Sequence, residues 1–148
     1  MIRLVLSALA LLLTSGFAPA ADHDHDHAMT DLGSHAVGAA KVAIKAAGSV
    51  RAGEKLHLDL SVTPATPAPK AVRVWVGIES GRGSAKAKAE LEKDGLYEAL
   101  VELPAPLPEG AKIWISVEPA AGETVKASLP IPAAVAEHHD HDHAGHKH

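Results

Sequence analysis

The sequence predicts an all-β fold: a seven-stranded antiparallel immunoglobulin-like β-sandwich flanked by disordered N- and C-terminal tails. Three observations carry this. Apolar residues between positions 41 and 131 recur with period two rather than 3.6. Turn signals punctuate that stretch at short, regular intervals. Prolines cluster between the apolar runs, as expected of a residue with no N–H to give a sheet ladder. Only 3% of the chain is aromatic, so the core must be aliphatic.

The first predicted strand covers residues 41–47 with Val42 and Ile44 inward, although its alanines suit a helix as well. The second sets Leu56, Leu58, Leu60 and Val62 against Lys55, His57, Asp59 and Ser61. After a proline-rich loop at 64–69, the third aligns Val72, Val74, Val76 and Ile78. The fourth sets Ala85, Ala87, Ala89 and Leu91 against Lys86, Lys88, Glu90 and Glu92. Asp94-Gly95 reads as a hairpin turn into the fifth strand, 96–103, which the proline-rich stretch 104–110 ends. Ile113, Ile115 and Val117 mark the sixth strand. Past the turn at 120–122, Val125, Ala127, Leu129 and Ile131 mark the seventh. Asp94-Gly95-Leu96-Tyr97 is similar to the tyrosine corner of such sandwiches. Gly81-Arg82-Gly83-Ser84 is a turn too short to cradle phosphate.

Residues 1–20 read as a secretory signal: Arg3, an apolar run over 4–13, and Ala18-Pro19-Ala20 in the A-x-A cleavage pattern. Ten apolar residues fall short of the roughly twenty that span a bilayer, so the mature protein is expected to be soluble, without a membrane span, and periplasmic. Residues 21–40 form a polar arm and linker, 41–131 the sandwich, and 132–148 a C-terminal arm. The formal charge is −4, with +1 on the signal segment, −4 on the N-terminal arm, +1 on the sandwich and −2 on the C-terminal arm. No basic excess exists for nucleic acid to recognise. The absence of cysteine excludes disulfides, thiolate metal sites and thiol catalysis.

Nine of the eleven histidines lie in two runs, three within residues 23–27 and six within 138–148. His23, His25 and His27 alternate with Asp24 and Asp26; His138, His139, His141 and His143 surround Asp140 and Asp142, with His146 and His148 following. In an extended chain alternate residues share a side, roughly 7 Å apart. Imidazoles therefore project together, with carboxylates between them as ligands or hydrogen-bond acceptors. Such donors without sulfur favour zinc, then nickel or copper(II). The competing reading is a tail that only solvates. Cleavage after Ala20 would expose Ala21-Asp22-His23, whose amine, two backbone amides and imidazole can enclose Cu²⁺ or Ni²⁺ in a square plane. Cleavage one residue later removes that site.

Within the domain, His57 reads as a solvated residue on a polar strand face, and His35 as a linker residue able to join the N-terminal set. Trp75 and Trp114 point away from the aliphatic faces of neighbouring strands, beside Arg73 and Lys112. They suit either a partner-docking surface or a pair covered by a loop or tail. No serine, histidine and acid are spaced for a triad, and no helical histidine pair for a zinc hydrolase, so no enzyme is expected.

Residues 53–131 contain Gly53-Glu54-Lys55-Leu56, then Gly95-Leu96-Tyr97-Glu98-Ala99, and, after a glycine-containing turn, Lys112-Ile113-Trp114-Ile115-Ser116-Val117. On these motifs the segment resembles small exported domains of the YtkA-like and FixH-like type. The resemblance implies a place in the cell envelope and a link to copper handling or oxidase assembly. Some relatives carry methionine and histidine where this chain has Gly81-Arg82-Gly83-Ser84. The arms are similar to the His-Asp tracts of zinc transporters and periplasmic zinc-binding proteins. The function expected is that of a metal-binding accessory protein that captures, buffers or hands over divalent metal. An envelope metal transporter or assembly complex would be its partner. The alternative is an envelope interaction module docking through Trp75 and Trp114, with the arms secondary.

Overall fold

A computed structural model describes residues 29–133 and 135. Nine β-segments follow one another: β1 (Thr30–Val37), β2 (Ala40–Ala47), β3 (Lys55–Thr63), β4 (Ala71–Gly77), β5 (Ala87–Lys88), β6 (Glu90–Lys93), β7 (Leu96–Glu102), β8 (Lys112–Glu118) and β9 (Val125–Pro130). Among the described residues there is no helix. One antiparallel sheet runs β1-β2-β3-β7-β6 and the other β5-β4-β8-β9. With the seven predicted strands lettered in order, β2-β3-β7-β6 is A-B-E-D and β4-β8-β9 is C-F-G, the immunoglobulin order.

The period-two faces hold where they are clearest. Leu56, Leu58 and Leu60 of β3, Val72, Val74 and Val76 of β4, and Ile113 and Ile115 of β8 have essentially no exposure. Each such side chain contributes about 1.5–3 kcal/mol on burial, so the alternation itself drives the two sheets together. The alanine-rich segment at 40–47 is a strand. Its Val42 and Ile44 lie in the core, because pairing with β1 and β3 outweighs the helical preference of alanine.

Four expectations are corrected. Residues 30–37, assigned to the disordered N-terminal arm, form β1 and bury Leu32 and Val37. The odd spacing of those two residues is absorbed by a bulge. Asp31 pairs with Lys45 and Gly33 with Ile44, which leaves Leu32 as the extra residue and restores the phase for Val37. The single strand expected at 85–92 instead switches sheets. Ala87 pairs with Val74 of β4, and Glu90 pairs with Glu98 of β7. The crossing residue is Ala89, small enough to be buried between the sheets, with its N–H donating to the Val72 carbonyl at 2.9 Å. Leu91, Ile78 and Val125, predicted inward, are exposed because they lie on an edge segment or past a strand end. The domain also does not end at 131: Val135 is 1% exposed within the core, and its carbonyl accepts the Val50 N–H.

The Asp94-Gly95 hairpin joins β6 to β7 as predicted. Gly95 has φ +74°, and an added Cβ would stand 2.6 Å from the Val62 carbonyl oxygen, so no other residue fits without movement. Tyr97 is buried after this turn, and burial pushes its phenol above the usual range.

Candidate functional site

His23, His25, His27, Asp24 and Asp26 lie outside the described residues, as do Ala21, Asp22 and the signal segment. So do His138, His139, His141, His143, His146, His148, Asp140 and Asp142. What the structure places is where the two runs attach. The N-terminal run joins the fold at Thr30, which pairs with Ala46 near the end of β2. Four residues further on, the Val50 N–H donates to the carbonyl of Val135, two residues before Glu137 and the C-terminal run. The other end of β1 lies beside the start of β9: an added Cβ on Gly38 would stand 3.0 Å from Val125 Cγ2. β1 and β9 therefore run in opposite directions along facing sheet edges. Thr30 and Pro130 share one end of the sandwich.

His35 belongs to β1 rather than to a free linker. Its half-buried ring nitrogen Nε2 lies 3.3 Å from the Leu32 carbonyl oxygen, so the tautomer protonated there donates back into its own strand.

His57 stands on the outer face of the five-stranded sheet, as its alternation with Leu56 and Leu58 predicted. It is not merely solvated: its Nε2 lies 2.8 Å from Glu98 Oε1 and 3.5 Å from Asp59 Oδ1. Glu98 is brought there by the β3–β7 register, in which it faces Asp59 directly. The Glu98 contact has ion-pair distance without hydrogen-bond alignment, and all three side chains are more than a third exposed. A pair so open to water contributes little. Among the described residues no group of three His, Cys, Asp or Glu side chains is arranged to hold a metal.

Trp75 and Trp114 meet as expected, directly paired across β4 and β8, with ring centroids 6.1 Å apart and planes 10° from parallel. They do not form an open surface. Trp75 is only 1% exposed and Trp114 is half-buried. The segment after β4 folds back over the pair. Trp75 Nε1–H donates to the Ile78 carbonyl at 2.8 Å, and Trp114 Nε1–H donates to the Gly77 carbonyl at 3.0 Å. Lys86 Nζ sits 4.8 Å from the centre of the Trp75 ring. The reading in which a loop covers the pair holds for Trp75, and docking through that indole is corrected accordingly. Arg73 on the same face instead reaches Glu118 at 3.4 Å.

At the end opposite the chain exits, Val37, Val62, Pro64, Val117, Pro119 and Val125 line an apolar cleft of about 420 Å³. Its lining includes one carboxylate, Glu123, and no histidine. No helix of the described residues is long and apolar enough to cross a membrane. Sequence reasoning missed Glu98, Lys86 and Val135. Only cross-strand register or chain reversal brings these three to their partners, and neither leaves a local pattern. No family model matches the chain, and no curated protein or solved structure matches it.

Proposed function

We propose that the protein is an exported, periplasmic metal-binding accessory protein that captures, buffers or hands over divalent metal through its two His-Asp runs. Zinc is favoured over nickel and copper(II), because imidazole and carboxylate donors without sulfur suit it and either run offers at least three imidazoles. The observation that carries this reading is the placement of donors. The described domain carries only two of the eleven histidines, His35 and His57, while the other nine fall in the two runs beyond its attachment points. Resemblance to YtkA-like and FixH-like domains supports an envelope location, with a metal transporter or assembly complex as recipient. If processing follows Ala20, the Ala21-Asp22-His23 terminus adds a square-planar site for Cu²⁺ or Ni²⁺ that zinc would not use.

The test is zinc titration of residues 21–148 against the same chain with its nine run histidines changed to serine. Loss of zinc uptake in the substituted chain is expected; full retention would sink the proposal. A comparison chain cut at 41 and 132 would be unsuitable, since it removes β1 and the buried Val135.

A further inference from the structure

Tyr97 departs from the tyrosine corner that its sequence resembles. In such a corner the hydroxyl bonds back to the backbone a few residues upstream. Here the residue is only 4% exposed, yet among the described residues its hydroxyl has no hydrogen-bond partner. Nor is that oxygen one of the unpartnered atoms sealed from water, which among the described residues are His57 Nε2 and Ser84 Oγ. The ring is therefore buried while the oxygen stays open. Buried polar groups are nearly always paired, so a free phenol in this place is available to a ligand.

Tyr97 lines a cleft of about 410 Å³ on the side of the sandwich where the chain changes sheets. The sheet change itself opens this cleft. β5 pairs only with Arg73 and Val74, so the start of β4 has no strand beside it there, only the Ala89 N–H bonded to the Val72 carbonyl. From Glu90 onward the chain has already joined β7. The sheets part between these segments, and the alanines at 68, 71 and 89 are too small to fill the gap. Pro69, Val72 and Leu91 give it an apolar lining, and the exposed Lys70, Lys88 and Glu90 complete it. Among the described residues neither lysine forms a salt bridge. Two ammonium groups against one carboxylate leave the lining one positive charge in excess.

We propose that this cleft binds a small monocarboxylate with an apolar body, the carboxylate accepting the Tyr97 O–H and an ammonium N–H from Lys70 or Lys88. Its size falls within the range of about 300–1,000 Å³ usual for small-molecule sites, which pair a mostly apolar wall with a few polar groups. Burial keeps the phenol protonated at neutral pH, so it enters as a donor. A single negative charge matches the excess on the lining. A cation would meet that excess as repulsion, and a multiply charged anion would lose more hydration against Val72 and Leu91 than one phenol and two exposed lysines return. The site lies within the sandwich and requires neither the His-Asp runs nor a metal.

The experiment titrates the chain from 21 to 148, freed of metal on a chelating resin, with sodium hexanoate and separately with hexylammonium chloride. Binding is followed by amide-resonance NMR. Hexanoate should give saturable shifts at the amides of residues 70–72, 88–91 and 97, and hexylammonium none. Tyr97→Phe should weaken hexanoate binding by about tenfold or more, the worth of a hydrogen bond to a charged group. Its melting temperature at neutral pH should not fall, because the hydroxyl has no partner within the fold to lose. Lys70→Gln and Lys88→Gln, as exposed charges, should each weaken binding by up to about fivefold. The chain with its nine run histidines changed to serine should bind hexanoate as tightly as the unaltered one. Unchanged affinity in Tyr97→Phe, or a clear loss of its stability at neutral pH, would overturn the proposal. So would shifts centred on the cleft around Val62 and Pro119, equal binding of hexylammonium, dependence on the run histidines, or no saturable binding by the unaltered chain.

Discussion

Replacing Trp75 by serine separates a structural indole from one kept for a partner. Trp75 is 1% exposed, stacked on Trp114, hydrogen-bonded to the Ile78 carbonyl and capped by Lys86. Truncating a buried tryptophan costs about 3–5 kcal/mol. The stacked pair and the indole N–H bond are each worth about 0.5–1.5 kcal/mol, partly within that range. The expected loss is therefore about 4–5 kcal/mol, a large share of the roughly 5–15 kcal/mol that holds a domain folded. For a domain near 100 residues that lowers Tm by about 20 °C. Trp114→Ser, at a half-buried site, should cost about half as much. Trp75→Phe keeps most of the packing and loses the N–H, for about 1–2 kcal/mol. Urea unfolding followed by far-ultraviolet circular dichroism measures all three, and the signal of the coupled indoles should vanish in each. A cost below about 1 kcal/mol for Trp75→Ser, with the fold intact, would refute the packing argument and return that face to the role of a docking surface.

Gly95→Ala should destabilise by about 2–4 kcal/mol, since its Cβ meets the Val62 carbonyl at 2.6 Å in addition to the strain of φ +74°. Gly48→Ala, at φ +93° with nothing within 4 Å, should cost only the strain, about 1–2 kcal/mol; chemical denaturation of both compares clash with strain. Because burial raises the Tyr97 phenol above its unfolded value of 10.0, its contribution is fully present below pH 10 and is lost as pH rises through the folded value. Tyr97→Phe should flatten that alkaline loss in a pH series of melting curves. Removing residues before 40 exposes the β2 edge and the core under Leu32 and Val37, so size-exclusion chromatography should show association or aggregation. Zinc binding should weaken by at least about tenfold per pH unit below about pH 6.5, where protons compete for imidazole; a flat titration between pH 5 and 6.5 would exclude imidazole ligation.

The strands most legible from sequence are β3, β4 and β8, whose apolar residues recur at every second position and form the buried inner face. The period does not predict that Trp75 and Ser116, on the opposite face of β4 and β8, are buried as well. β1 was illegible because its bulge at Leu32 places two inward residues an odd number apart, which breaks the pattern that identifies a strand. The segment at 85–92 misled in the opposite way. Its alternation is continuous, yet the chain passes from one sheet to the other at Ala89 without changing phase. The candidate donors were legible because repetition of histidine and aspartate is a property of the chain itself. Glu98 beside His57, and the loop over Trp75, were not, since each depends on a partner remote in sequence.

Sequence alone therefore determined the fold class, the aliphatic character of the core and the two runs of metal-suited donors. These follow from period, composition and spacing, which act locally along the chain. Tertiary structure decided how many times the chain crosses the sandwich, and with it that residues 30 and 135 lie at one end. It also decided that Trp75 is covered rather than presented. Both depend on which strand edges and loop carbonyls are close enough to bond, and that proximity exists only once the two sheets have closed on their shared core.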